Sequence, residues 1–210
     1  LLQSLTINGD LSLSTQLSNV TLGSGVNLNG TVRVSGSGSY VGISGTRSLS
    51  SGTISFDGAT SGNRAGIEAV AEGSVLTLSA GAVVRGGHGD IGGTFVNETT
   101  MDGFTNNGLV SADRSGTTLG VRSAVFTNNA VAEAVSGGVL EIAPGASLVN
   151  TGTLRASSGS TLRFVKGSGQ VWSNTGTTEI NGGTVETSGE FATADFGTIT
   201  SGEEHYYAWK

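Results

Sequence analysis

The stretch "FTNNGLVSADRSGTTLGV" opens at Phe104, and its first four residues return at Phe126 in "FTNNAVAEAVSGGVLEI". Two further copies follow, "LVNTGTLRASSGSTLRF" from Leu148 and "WSNTGTTEINGGTVET" from Trp172. The anchors Phe104, Phe126, Leu148 and Trp172 are 22, 22 and 24 residues apart, and the longer step contains the turn "KGSGQ" at 166–170. A fixed period of this length marks units that cannot bury an apolar face alone and must stack on their neighbours. Each unit holds three short runs of alternating apolar and small polar residues, separated by Gly, Ser, Asn and Asp. That alternation is strand chemistry. At ~3.3 Å per strand residue, three such strands with their turns form one coil of a parallel β-helix. A propeller blade needs roughly 40–50 residues, about twice this period, and the consensus of leucine-rich repeats is missing. The expected fold is all-β: a right-handed parallel β-helix, or β-solenoid, of about 22 residues and three short strands per coil and about eight coils.

Stacking explains which residues recur. Leu119, Leu140, Leu162 and Val185 read as one inward column, Val121, Ile142 and Phe164 as another, and Ala112, Ala134, Ala156 and Ile180 as a tighter wall. Asn106, Asn128, Asn150 and Asn174 stand two residues after each anchor. Asn accepts the backbone of a sharp corner, and stacked amides can donate to one another as a ladder. Outward, Glu133, Arg155 and Glu179 share a column, and Glu141, Arg163 and Glu186 share a second. Opposite charges on neighbouring strands stabilise by roughly 0.2–1 kcal/mol per pair, so both columns read as structural ladders. Upstream, "IEAVAEGSVLTLSAGAVV" from Ile67 aligns with "VAEAVSGGVLEIAPGASL" from Val131 at an offset of 64, about three periods, and Ile54–Phe56 with Leu76–Leu78 at 22. The chain therefore reads as a single domain, 1–210. Residues 1–50 form irregular first coils with a loop insertion near 36–51, 51–190 are regular coils, and 191–210 are a C-terminal cap or interface segment.

Composition narrows the function classes. The formal charge is −6 with a pI near 4.8 and ten scattered basic residues, whereas nucleic-acid and anionic-membrane binders cluster Lys and Arg. Nucleic acid is not an expected partner. With no Cys, one Met and two His, the chain has neither disulfides nor a thiolate metal site. No apolar run reaches the ~18 residues of a membrane span, so direct membrane insertion is not expected. The first residues lack a charged and then apolar leader, so any signal peptide lies upstream or has been removed.

The rungs "LTLSAGAVV", "FTNNGLVSA" and "LVNTGTLRASSGSTLRF" resemble the Gly- and Asn-rich β-helices of bacterial exoproteins, those of the autotransporter-passenger and filamentous-haemagglutinin kind. The resemblance covers roughly residues 50–190 and rests on repeat style. It implies secretion or display on the bacterial cell surface and an adhesive or scaffolding role. The implied partner is a host or neighbouring-cell surface, glycans included. The shared positions build coils, so no functional residue carries over, and the ending "GEEHYYAWK" departs from the pattern.

Candidate sites are few. "GGHGDIGG" at 86–93 is close to a calcium-binding nonapeptide, but Asp90 comes one residue early and the motif has no tandem copy, so it reads as an irregular turn. His88 and His205 lack companion ligands. Asp57, Arg64, Glu68, Glu72, Arg85 and Asp90 fall on neighbouring coils and could supply the carboxylates of a polysaccharide-processing site, though a solvated face is the simpler reading. Tyr40 and Arg47 are the contact-capable residues of the expected 36–51 loop. Tyr206, Tyr207 and Trp209 cluster at the end, where they would cap the last coil or bind the next subunit. The expected function is a non-enzymatic adhesive rod without cofactors. The alternatives are a self-assembling filament associating end to end, and a carbohydrate-binding or carbohydrate-cleaving β-helix. Ice binding is weaker again, because it needs a flat, regular Thr ladder and the outward columns here carry Glu and Arg.

Overall fold

The structure, a computed structural model, describes residues 1–58, 64–94 and 96–201 together with the backbone of Tyr207–Trp209. The chain is all-β and winds into a β-solenoid of about eight turns, successive turns about 23 residues apart. Three faces run the length of the stack, and every cross-turn strand pairing within them is parallel. Face 1 begins at Asn19–Leu22 and Tyr40–Ile43, continues through Ala65–Ala69, Gly89–Ile91, Thr118–Val121, Val139–Ile142 and Thr161–Lys166, and ends with Thr184–Gly189 and Tyr207–Trp209. Face 2 carries the anchor strands Gly103–Asn106, Val125–Asn128, Ser147–Asn150 and Val171–Asn174. Face 3 carries Leu109–Ala112, Val131–Ala134, Thr153–Ser157 and Thr177–Asn181, ending with Thr198–Ser201. Two long strands, Thr46–Phe56 and Val75–Gly86, bend round the corner and serve faces 2 and 3 together.

Alternation sends every second side chain inward. On face 1 one column passes from Val20 through Val41, Ile67, Ile91, Val121 and Ile142 to Phe164. On face 2, Leu76, Phe104, Phe126, Leu148 and Trp172 are stacked in register. All twelve of these side chains are buried, and each contributes on the order of 1.5–3 kcal/mol by leaving water. Phe104 and Phe126 lie ring on ring, with centroids 5.5 Å apart and planes 8° from parallel.

The 36–51 segment is not a loop. Tyr40–Ile43 and Thr46–Phe56 are strands of faces 1 and 2/3, and the steps there are ordinary: Leu22 pairs with Ile43 and Val34 with Phe56. Matching Leu22 to Phe56 joins two different faces. The offset-64 alignment does the same, since Ile67 belongs to face 1 and Val131 to face 3. Likewise Ile54 pairs with Val84, and Leu76 with Arg47. All three strands of a coil share one alternation, so likeness alone does not tell which face a strand occupies.

The true excursions lie elsewhere. Phe56 pairs with Gly86, a step of 30 residues, and the surplus is shared between the connection 57–64 from face 3 to face 1, of which 59–63 are outside the described residues, and the connection 70–74 from face 1 to face 2. The second is 92–102, between faces 1 and 2, of which residue 95 is outside the described residues.

At the C-terminal end, Phe191 and Phe196 pack over the core, their rings 5.3 Å from Trp172 and 5.9 Å from Phe164 respectively. A 3₁₀ turn, Thr193–Phe196, stands where the next face-2 strand would be. It is pinned by Lys166 Nζ, 2.6 Å from Asp195 Oδ2. Tyr206 and the side chains of Tyr207 and Trp209 lie outside the described residues. The backbone of Tyr207–Trp209 extends face 1 beside Val185–Thr187.

Candidate functional site: a charged corner between two excursions

Coil geometry brings groups from distant parts of the chain to the corner where face 3 turns into face 1. Asp57 leaves the end of a face-3 strand and accepts from three donors. These are Ser55 Oγ at 2.7 Å, Arg114 Nη2 at 2.6 Å and Arg33 Nη1 at 3.2 Å. Arg33 also reaches Asp10 at 3.3 Å. Arg114 comes from two coils further on. At the corner of the intervening coil residue 87 is glycine, which leaves room for Thr117: a Cβ there would lie 1.6 Å from Thr117 Oγ1, the hydroxyl that donates to the Arg114 carbonyl.

A second hub sits on face 1. Asp90, 4% exposed, binds Arg64 Nη1 at 2.8 Å and Arg122 Nε at 2.6 Å. Arg122 continues to Glu141 at 2.6 Å, Glu141 to Arg163 at 3.2 Å, and Arg163 to Glu186 at 2.8 Å. In register, the residue between Asp90 and Glu141 is Gly120. Its missing side chain leaves the space that Arg122 fills from two positions along; a Cβ at 120 would stand 2.3 Å from Asp90 Oδ1. On face 3 the ladder runs from Ser111 Oγ to Glu133 at 3.0 Å, then Arg155 at 3.2 Å and Glu179 at 2.7 Å. Arg85 meets Asp113 Oδ2 at 2.7 Å, while Asp113 Oδ1 is buried without a hydrogen-bond partner among the described residues.

Burial pushes the Glu141 carboxyl up, but the charges and hydrogen bonds of Arg122 and Arg163 outweigh it and hold the group below its ordinary value of 4.5. Asp57 behaves likewise. Burial raises it, and Ser55, Arg33 and Arg114 bring it below 3.8. Depressed carboxylates contribute stability that is fully present above the unfolded value and lost as pH falls through the folded one. The urea midpoint is therefore expected to fall as pH drops below about 4.5. Glu141→Gln is expected to flatten that dependence, as seen by comparing midpoints at neutral and strongly acidic pH.

The excursion 92–102 has its own clasp. Glu68, on face 1 and 1% exposed, accepts from Val96 N at 3.1 and 3.2 Å, from Asn97 N at 2.8 Å and from Asn97 Nδ2 at 2.9 Å. A charge-assisted bond is worth roughly 1.5–3 kcal/mol. Glu68→Gln replaces one acceptor oxygen by a donor that faces N–H groups. Amide exchange at Val96 and Asn97 is expected to rise by about tenfold or more, with exchange in the 104–187 coils unchanged.

The structure thus separates the sequence candidates. Asp57, Arg64, Glu68, Arg85 and Asp90 do share one stretch of the stack, but each is bonded to a neighbour from another coil or to the excursion. The motif "GGHGDIGG" supplies the space for Thr117 at Gly87 and the Asp90 hub. Among the described residues no group of three or more His, Cys, Asp or Glu side chains could hold a metal ion. Tyr40 and Arg47 begin strands on two different faces, and Arg47 donates to the carbonyls of Thr46 and Leu22.

The four Asn residues lie inside, each amide donating to the next: Asn106 to Asn128 at 2.7 Å, Asn128 to Asn150 at 2.7 Å and Asn150 to Asn174 at 2.8 Å. The ladder ends on the Asp195 carbonyl. Sequence reasoning missed Arg114, Arg122 and the Glu68 clasp. Their offsets, 57 residues for Arg114–Asp57 and 32 for Arg122–Asp90, are not multiples of the period. No known protein family matches the chain, and no curated protein or solved structure is detectably similar to it.

Proposed function

We propose that the chain is a structural and adhesive module of a bacterial secreted or cell-surface protein, a stiff rod that holds binding segments in fixed positions. The observation that carries this reading is the contrast between coil and excursion. Amide and charge ladders tie each coil to the next, while the surplus chain is gathered at 57–64, 70–74 and 92–102, and the buried Glu68 holds the last against the rod. Segments presented from a rigid scaffold are where binding concentrates. The partner is a host or neighbouring-cell surface, with glycans as the candidate chemistry. Beads coated with the chain should adhere to such cells, and a variant whose 92–102 connection is shortened to the length of 122–124 should adhere less while its strand circular dichroism persists. Equal adhesion of the two proteins would overturn the reading.

A second reading, an end-to-end filament, is favoured by one observation. Thr198, Ile199 and Thr200 are exposed, and among the described residues their strand is the last of face 3. Such an edge can accept another strand. Light scattering that grows with concentration, and stops when Ile199 becomes Pro, supports it; a monomer at every concentration removes it.

A further inference from the structure

Face 2 differs from its neighbours in carrying no charge on its outward side. Its six strands, from the 46–49 stretch to Val171–Asn174, each turn two residues out. In register, the two ranks read Thr-Val-Gly-Val-Ser-Val from Thr46 to Val171, and Ser-Thr-Thr-Thr-Val-Ser from Ser48 to Ser173. Faces 1 and 3 both carry ion-pair columns. Glu72 and Asp102 stand on the corner leading into face 2, and Arg47, on its first strand, belongs to the inward rank beside Leu76 and donates to the Thr46 and Leu22 carbonyls. Of the four exposed valines among the described residues, Val125, Val149 and Val171 lie here, Val171 at 69%, and Val96 lies in the excursion 92–102.

The face is also held rigid from beneath. Under it stand the Phe104–Phe126 ring stack and the buried Asn ladder. The side chains therefore repeat on a fixed grid, ~4.8 Å from coil to coil and ~6.6 Å along each strand.

What could cover such a strip is limited by its size and chemistry. Six strands span about 24 Å, and two residues across make a patch of at most a few hundred Å². A stable protein pair needs about 800 Å² from each partner, so a second copy is poorly served. The strip offers no aromatic ring for a sugar to stack on and no charge for an anionic polymer. Methyl groups of Val and Thr with hydroxyls of Thr and Ser, on a rigid grid, fit an ordered array of water. We propose that face 2 binds ice. The Glu and Arg columns that weigh against this in the sequence belong to the other two faces. The proposal stands independently of the adhesive reading.

The test grows ice slowly from a dilute solution of the fluorescently labelled chain and measures the label taken into the crystal, alongside ice recrystallisation. The native chain is expected to enter the ice and slow recrystallisation. Thr127→Lys, at the centre of the face, and Val171→Glu, at its most exposed position, are expected to be excluded several-fold more completely, with unchanged circular dichroism. Thr153→Lys on face 3 should behave as the native chain. The proposal is overturned if the native chain is excluded as completely as Thr127→Lys, or if Thr153→Lys loses as much. It is also overturned if sedimentation shows a native dimer that Thr127→Lys abolishes, which would make a second copy the occupant.

Discussion

Asn128→Asp is expected to destabilise the solenoid by about 3–5 kcal/mol at neutral pH, the cost of a buried charge left without compensation. Asn128 is fully buried. Its Oδ1 accepts from Asn106, and its Nδ2 donates to the Asn150 side chain and to the carbonyls of Ala130 and Thr153. A carboxylate keeps the first bond and loses all the others, turning an acceptor toward three acceptors. Protonation restores one donor. The deficit relative to the native chain should therefore shrink in acid, even though the native chain itself weakens there. Urea midpoints of both proteins across pH check the size and the direction together. A deficit that grows in acid would contradict the direction of donation along the ladder.

The second large effect is Phe126→Ala, expected to cost about 3–5 kcal/mol through lost transfer energy and the cavity left behind. Phe126 is fully buried in register with Phe104 on one side and Leu148 on the other. Removing it also removes the stacked ring pair, worth roughly 0.5–1.5 kcal/mol beyond area. The neighbouring outward change Val125→Ala should stay within about 0.5 kcal/mol. Equilibrium denaturation of the two variants reads the difference directly. Phe126 and Val125 are adjacent in sequence, so only the side of the strand on which each lies separates the two outcomes.

From Gly103 onward the register of the stack is legible in the amino-acid sequence alone. There the anchors repeat nearly verbatim, and one Asn per coil fixes the phase: Phe104 on Phe126, Asn106 on Asn128 and Glu133 on Arg155 all pair as the spacing requires. Upstream the phase marker vanishes, since Leu78 takes the place of Asn in the coil before. With only alternation left, Ile54 aligns with face 2 although it lies on face 3, and the spacing suggests a loop at 36–51 where the chain is strand. The actual excursions have a usable signal, because "DGATSGNR" and "VNETTMDG" interrupt the alternation. The two-coil reach of Arg114 has none, because it skips the intervening coil and its offset of 57 residues is no multiple of the repeat. Aromatic clustering points to Tyr206, Tyr207 and Trp209 as a cap or an interface, and their side chains lie outside the described residues; Phe191 and Phe196 lie on the core end. Their separation by five residues fits a short turn and not a strand, a distinction that composition hides.

The Asn ladder and the stacked anchor strands rest on one relation: from Gly103 to Asn150 residues 22 apart are direct neighbours. Because the chain contains no cysteine, paired cysteines measure that relation without background. Cys at Thr105 and Thr127, one coil apart on face 2, would have Cα atoms ~4.8 Å apart, inside the window of about 4.4–6.8 Å for a disulfide. Cys at Thr105 and Val149, two coils apart, would stand ~9.6 Å apart and outside it. Mild oxidation of the native-state variants should close the first pair and leave the second as free thiols. A second pair that closes, or a first that does not, would contradict the stacking.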